Sequence, residues 1–475
     1  MDVYEEEKIL ARYWNLVEKF RGKKGIGMGD IRAYVSACVD LEVIESGIKK
    51  SDDLINILQY VIKGFPKNDV SNSYKNVLKQ WEDADKGILT DYSRKYKGKN
   101  ILIDDKLKNN GYNSISLFSG SFGLDLGFEY AGFSTKLALD IDLASEKIIT
   151  ANRPAVPFIL DDVKNVSTDK ILETAGIDKG ELDVLTGGPP CQPFSTAGKR
   201  EGLNDPRASP LEEYIRVINE AQPKIFVMEE VTGLLNARLK HVAIKDRGGR
   251  ELQPEEEKGS VWKVILDELH KTGYKIRYEV LNAADFGTPQ KRLRVILVGV
   301  RPDIKVEIPL LPTQTHKKPN LSSLKPLKPW IPLLDSIMGI ELGEYQSISP
   351  KCARYMPYVP PGGNWRQIPE KLQKEAMNKA YEAGGGKMGF YRRLCWFEQS
   401  PTLVTGPTMK STMMIHPWEE RPLSVNEYKA IQGFPLEWEL PGSVTNKYRK
   451  VGEAVPPNLS FAIARRVRDI LEVGE

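Results

Sequence analysis

The sequence predicts an α/β protein, a mostly parallel sheet covered by helices on both faces, joined to an irregular second domain and preceded by a helical region. Three observations predict it. Between residues 113 and 305, short apolar runs alternate with amphipathic ones. Between 306 and 420 that alternation is lost and prolines crowd in. Ahead of residue 105, apolar residues recur at helical spacing. With 475 residues the chain exceeds one average domain of roughly 100–200 residues, so two or three cores are expected.

In the first region Ile9, Tyr13, Leu16 and Phe20 fall on one helical face, and Tyr74, Val77, Leu78 and Trp81 repeat the pattern. Ser51, with Asp52 and Asp53, stands as an N-cap before LINILQYVI. The polar, basic stretch DYSRKYKGKN reads as a linker. Residues 1–105 are thus a helical region whose role the sequence does not state, either a plain arm or a DNA-contacting module.

From 113 onward the pairs are SISLFSG then LDLGFEYAG, TKLALDID then ASEKIITA, LDVLTGGPP then LEEYIRVINEA, and KIFVMEE then VWKVILDELHKTG. YKIRYEVLNA and RLRVILVGV close the series as strands. Residues 306–420, rich in Pro and Gly, form the irregular domain. SVNEYKAIQGFP and NLSFAIARRVRDILE, within 421–475, are helical again and return to the first sheet.

Composition excludes several classes. Hydrophobic residues make up 41% and charged residues 28%, ordinary globular usage, and 39 Gly with 31 Pro fall short of low-complexity levels. The acidic start MDVYEEEKIL is unlike a signal peptide, and no apolar run approaches the ~18 residues of a membrane span. A soluble cytoplasmic protein is expected. Cys38, Cys191, Cys352 and Cys395 form no CxxC pair, and His241, His270, His316 and His416 are scattered, so no metal is expected. A net charge of +4 permits nucleic acid as a partner without demonstrating it.

Parallel sheets bind ligands beyond the carboxyl ends of their strands, so the chemistry is sought there. The first strand runs into Phe118-Ser119-Gly120-Ser121-Phe122-Gly123, where glycine permits close backbone approach to a ligand. A tight turn without a ligand explains this loop equally well. Asp140, twenty residues after Gly120 at the end of the second strand, is placed to bind two ribose hydroxyls. Asp162, in ILDDV, can accept a hydrogen bond from an exocyclic amine. Phe122 breaks the GxGxxG spacing that a pyrophosphate needs, so a nucleoside cofactor without one fits better.

The sharpest signal is GGPPCQPFSTAGKR. Most lone cysteines are inert, but Pro189 and Pro190 fix the backbone before Cys191 at the edge of the sheet, a context that suits a nucleophile. Glu229, ending KIFVMEE on the same edge, can donate a proton or hold a heterocycle; an N-cap or an ion pair is the plain alternative. Arg292 and Arg294 are two apart at a strand start, hence on one face, as a fixed cation near the cysteine or as two exposed arginines.

Phe118-Ser119-Gly120, Gly188-Pro189-Pro190-Cys191-Gln192, Phe226 to Glu229, Gln290-Lys291-Arg292-Leu293-Arg294, Arg421-Pro422-Leu423-Ser424, Gln432-Gly433-Phe434-Pro435 and Gly452 to Pro457 occur in one order. In that order they resemble the motifs of the DNA (cytosine-5) methyltransferase family, of the restriction–modification type. The likeness covers roughly residues 113–305 and 420–470. It implies a Rossmann-like fold dependent on S-adenosylmethionine, with the catalytic domain in 113–305 and 421–475 and the target recognition domain in 306–420. Phe118, Gly120, Gly123, Asp140, Ile141, Asp162, Val163, Pro190, Ala454 and Val455 would hold the cofactor. Cys191 would attack C6 of a flipped-out cytosine, Glu229 would bind the N3/N4 edge, Arg294 would hold O2, and Arg292 would support the site. Gln192, Ser195, Lys199, Arg392, Arg393 and Lys410 would contact double-stranded DNA. A cognate endonuclease acting separately, a monomeric state and a place at the nucleoid are also implied. One branch of the family acts on transfer RNA, and a silent DNA-binding relative is the third reading. Three residues depart from the pattern: Glu230 and Glu453 stand where Asn is usual, and Phe122 where Gly is common.

Overall fold

The computed structural model describes residues 107–109, 111–190, 209–240, 242, 250–306, 309–318, 327–337, 340–382, 387–395, 398–417 and 419–474. The helical expectations ahead of residue 105, and Cys191, Gln192, Ser195 and Lys199, lie outside them.

The described strands are β1 (Asn113–Leu117), β2 (Ser134–Asp140), β3 (Phe158–Leu160), β4 (Val184–Gly187), β5 (Ile225–Val231), β6 (Lys275–Asn282), β7 (Gln290–Lys291), β8 (Leu293–Val300), β9 (His316–Lys317), β10 (Lys328–Pro329) and β11 (Ser400–Pro401). The α-helices are α1 (Gly123–Tyr130), α2 (Leu143–Asn152), α3 (Thr168–Ala175), α4 (Ser209–Ala221), α5 (Ser260–Lys271), α6 (Leu333–Ile337), α7 (Pro350–Ala353), α8 (Glu370–Met377), α9 (Val425–Gln432), α10 (Val444–Glu453) and α11 (Pro457–Gly474). They form two compact units. Described residues up to 286, with 292–313 and 437–474, make one; 287–291 and 314–436 make the other.

The first unit is built on a seven-stranded sheet of order β3-β2-β1-β4-β5-β8-β6. The strands from β3 to β5 pair in parallel, while β8 runs antiparallel to both β5 and β6. Central strands such as Ile225-Phe226-Val227-Met228 are apolar on both sides because both faces are covered. Leu117, Leu139, Leu185, Phe226 and Leu297 pack with Ile171 of α3, Tyr214 and Ile218 of α4, and Trp262 of α5. On the other face Val184, Val227, Ile296 and Val298 meet Phe128 of α1 and Leu459, Ile463 and Val467 of α11. Each such side chain contributes about 1.5–3 kcal/mol. Gly127 is needed here: a Cβ on it would lie 2.4 Å from the Phe461 nitrogen, so any larger residue would push α1 off α11. The strand order reverses between β1 and β4, which makes the crevice at their carboxyl ends the expected ligand site.

The second unit has its own core of Tyr355, Met356, Val359, Ile368, Tyr391, Met413 and Ile415, with two-residue ladders β7–β11 and β9–β10. Its bounds depart from 306–420 at both ends. Gln290 is fully buried; its Nε2 donates to Gln432 Oε1 at 2.6 Å, and its Oε1 accepts from the Leu403 amide at 2.8 Å. Those bonds bind 287–291 to α9. That helix is itself closed by a Ser424–Glu427 capping box and the Arg421–Glu427 pair at 2.8 Å. The RPLS and QGFP segments therefore belong to the second unit, and only α10 and α11 rejoin the sheet.

Candidate active site

The loop leaving β1 is unusual in its backbone. Phe118, Gly120 and Phe122 all have positive φ, at 55, 56 and 71°. Such angles in non-glycine residues cost about 1–3 kcal/mol each and cluster at functional sites. The loop is held from several sides. Asp140 Oδ2 accepts from the Gly120 amide and its Oδ1 from the Asp142 amide, both at 2.8 Å. Ser119 Oγ donates toward the Leu139 carbonyl at 3.2 Å and accepts from the Leu139 amide at 3.1 Å. Ser121 Oγ donates to the Lys450 carbonyl at 2.9 Å. Phe122 is fully buried and stacks on Trp438, with centroids 6.2 Å apart. Its φ explains why a glycine suits this position, and the buried ring offsets the strain.

Asp140, only 9% exposed, therefore shapes the loop at the end of β2. Beside it Ile141 is 68% exposed, an apolar side chain at a strand end with Leu143 also exposed. Asp162, half-buried past the end of β3, caps the Lys164 amide at 3.1 Å and pairs with Lys164 Nζ at 3.0 Å. Val163 is buried behind it. On α10, Lys450 reaches Asp142 Oδ2 at 2.8 Å and Ser145 Oγ at 2.6 Å, and Arg449 also pairs with Asp142 at 2.8 Å. Burial alone would raise the Asp142 carboxyl, but Lys450, the Ala144 amide and Arg449 together outweigh it and hold the group well below its usual range. Glu453 follows on the same helix, its carboxyl raised first by burial and further by Asp142 and Asp140. Ala454 and Val455 are buried next to it. Gly123 opens α1 and is also buried.

On the other side of the switch point, Gly188 and Pro189 follow β4, and exposed Pro190 is the last described residue before Cys191. A Cβ on Gly188 would lie 3.1 Å from Glu229 Oε2, so the main chain leading to the cysteine rests against that carboxylate. Glu229 does not end β5; it lies two residues inside it, opposite Ile296 of β8. Its Oε1 pairs with Arg294 Nε at 2.5 Å, with the two side chains 13% and 11% exposed. An acid and a cation so little exposed hold one another in place. Arg292 does not share a strand with Arg294, because the strand breaks between Lys291 and Leu293. It is 1% exposed and donates through Nη2 to the carbonyls of Gly452 at 2.8 Å and Glu453 at 3.3 Å. Burial, then Arg294, pushes its pKa down, while Glu229 raises it. Glu230, 4% exposed, accepts from the Val231 amide.

In the second unit the expected DNA-contacting residues separate. Lys410 is exposed. Arg392 is partly buried, donating to the Met413 carbonyl at 2.9 Å. Arg393 is a correction: at 1% exposure, with its guanidinium on the carbonyls of Met356 and Glu419, it is a core residue and presents nothing to a phosphate. Sequence reasoning missed Asp125, buried beneath the loop and accepting from Thr186 Oγ1 at 2.9 Å, and the Asp142–Lys450 bridge. The acidic first turn of α1 was the visible signal for Asp125; nothing short-range announced Lys450.

Residues 112–469 match the family model for C-5 cytosine-specific DNA methylase. The Type II methyltransferase M.PspPI of Psychrobacter sp. (strain TA137) is 37% identical over 374 residues, covering 76% of this chain and 80% of its own. M.Sau96I of Staphylococcus aureus is 34% identical over 429 residues, covering 90% of this chain and 92% of its own. M.Eco47II of Escherichia coli is 39% identical over 369 residues, covering 78% and 82%. Among solved structures, an Escherichia coli prophage protein described as a DNA modification methyltransferase superposes with a TM-score of 0.51 at 22% identity, over 76% of this chain and all of its own, a likeness of fold.

Proposed function

The chain belongs to the C-5 cytosine-specific DNA methylase family, and on that footing we propose that it methylates C5 of a cytosine flipped out of a specific duplex DNA sequence, as the modifying partner of a restriction system. The observation that carries the reading is the Glu229–Arg294 pair at 2.5 Å, with the backbone that leads into Cys191 lying against its carboxylate.

The crevice suits S-adenosylmethionine. Exposed Ile141 offers an apolar face for a purine, and Asp140 and Asp162 stand at the ends of the neighbouring strands, Asp162 paired with Lys164. Phe118, Gly120, Gly123, Asp140, Ile141, Asp162, Val163, Pro190, Ala454 and Val455 would hold the cofactor, which when bound supplies the methyl group as a leaving sulfide's substituent.

Cytosine C5 is a weak nucleophile. Addition of the Cys191 thiolate to C6 turns the C5 position into an enamine carbon and splits one hard step into easier ones. Glu229 holds the N3/N4 edge and promotes protonation at N3 as the ring gains electrons. Arg294 holds O2, oriented by the same carboxylate, while Arg292 supports the site by holding the carbonyls of Gly452 and Glu453 at the end of α10. Loss of the C5 proton and elimination of Cys191 release the product. A base inside a duplex does not expose C6, so the target is extruded at a cost of a few kcal/mol. Lys410 and the segment with Gln192, Ser195 and Lys199 supply phosphate contacts. The protein acts as a monomer, since a one-base reaction needs no symmetric partner.

Bisulfite sequencing of DNA from cells expressing the protein, beside a Cys191→Ala strain, reads activity and target in one measurement. Protection of one cytosine in a short recurring sequence, lost in the variant, is expected. Absence of any Cys191-dependent mark on DNA would overturn the proposal, and a mark on RNA instead would move the substrate to RNA.

A further inference from the structure

Arg216, on α4, spends every N–H of its guanidinium. Nε donates to Glu213 at 2.6 Å. Nη1 donates to Thr168 Oγ1 at 2.8 Å and Glu220 at 2.9 Å. Nη2 donates to the main-chain carbonyls of Val163 at 3.1 Å and Val166 at 3.0 Å. Five donors meet five acceptors, the full capacity of the group. Glu213 and Glu220 lie three residues before and four after it on the same helix and fix its direction. Nη2 is left aimed at the turn that follows β3.

That turn begins with Asp162 and Val163. Its support from the sheet is thin, because β3 has three residues, lies at the sheet edge and pairs only with β2. Its local bonds, Asp162 to the Lys164 amide and Asn165 to Asp161, hold it to itself and not to the body of the unit. The connection to the body runs through Val163 and Val166, both buried in the core, and through Arg216.

We infer that Arg216 is a positioning residue for the nucleoside end of the cofactor: it fixes the Asp162–Val163 turn so that the Asp162 carboxylate meets the exocyclic amine of a purine. This rests on the reading of Asp162 and Val163 as cofactor contacts. Lysine keeps the charge but cannot hold two carbonyls and two carboxylates with a planar fork.

The test compares S-adenosylhomocysteine with S-inosylhomocysteine, in which a carbonyl replaces the exocyclic amine, by calorimetric titration of the full chain. Wild type prefers the adenosyl compound. Arg216→Lys is expected to weaken S-adenosylhomocysteine binding about tenfold, the scale of one lost charge-assisted hydrogen bond. It should leave inosyl binding nearly unchanged, narrowing the ratio. KM for S-adenosylmethionine rises in step, while kcat at saturating cofactor and KM for DNA stay within about twofold. Thr168→Val, which removes one of the five acceptors, gives a smaller loss in the same direction and serves if the lysine variant does not fold. An unchanged ratio in a folded variant overturns the inference, as does an equal loss for both compounds, the mark of a purely structural role. Asp162→Asn separates the two levels. If it leaves the ratio at the wild-type value, the turn is not a cofactor contact; if it narrows the ratio and Arg216→Lys does not, the turn stands and the positioning role falls.

Discussion

At the residue scale the most consequential group outside the reacting centre is Asp125. It is 1% exposed under the loop after β1, and burial, first among several causes, raises its carboxyl from 3.8 to about 7. A folded pKa above the unfolded one means the folded protein holds the proton more tightly. The stability tied to Asp125 is therefore complete below pH 4 and is lost as pH rises to about 7, by roughly 4 kcal/mol over the three-unit shift. His316 and His416 work the other way, burial depressing them to about 4 and about 3, so their contribution is present above pH 6.5 and lost in acid. The wild-type profile mixes these slopes; a difference profile does not. Asp125→Asn, measured against wild type by urea unfolding, should gain relative stability steadily from pH 4.5 to 7 and then level off. A difference that stays flat across that range would remove the buried, proton-holding role. The sequence showed an acid in a helix's first turn, ordinarily a solvated and favourable place. That the turn faces inward between β1 and β4 depends on a sheet assembled from residues 70 positions apart, as Ser114 is from Val184.

At the scale of elements, the strand–helix alternation read from the sequence corresponds to real strands and helices from β1 to β8, because both faces of a parallel sheet demand apolar runs. The turns between them were less legible. The spacing from Gly120 to Asp140 read as an acid placed for two ribose hydroxyls; the bond at 2.8 Å from the Gly120 amide to Asp140 was not legible in it. Phe122 looked only like a missing glycine. Its φ of 71° shows the backbone that glycine would serve, kept by a ring stacked on Trp438, 316 residues away in the chain. Two costs then compete on substitution. Phe122→Gly relieves the left-handed strain but loses the buried ring, a net destabilisation of roughly 2–4 kcal/mol. Phe122→Ala loses the ring and keeps the strain, so it should be less stable than the glycine variant, the reverse of their order in a helix. Melting temperatures in the order wild type, Gly, Ala are expected; an alanine variant as stable as the glycine one would contradict the conformation assigned to the loop. Arg292 and Arg393 show the opposite limit. Each reads as a surface charge in the sequence, and each is buried because carbonyls far along the chain accept its protons, at 160 positions for Arg292 and 26 and 37 for Arg393.

At the scale of the whole molecule, proline crowding located the second unit but not its borders, since Gln290 and Gln432 are assigned to it by a hydrogen bond spanning 142 positions. Among the described residues the chain thus passes between units four times, and the five-residue motif Gln290 to Arg294 is split, its first two residues in one unit and its two arginines in the other. Among the described residues the sheet unit holds two hydrophobic clusters and the second unit one, each built from residues of its own unit. Separate cores are separate cooperative bodies, so unfolding is not two-state. Calorimetry should resolve two transitions, and ligands should move them separately. A ligand at one hundred times its Kd stabilises the body that binds it by about 2.7 kcal/mol. For a unit of this size that is a shift of roughly 5–10 °C. S-adenosylhomocysteine should raise only the transition of the sheet unit, because the crevice residues from Phe118 to Val455 all lie in it. On the proposed reading of Asp162 as a cofactor contact, Asp162→Asn should shrink the shift without moving the other transition. One merged transition that rises as a whole with S-adenosylhomocysteine would instead mean that the two cores melt together, and that the ligand stabilises the second unit as strongly as the sheet unit.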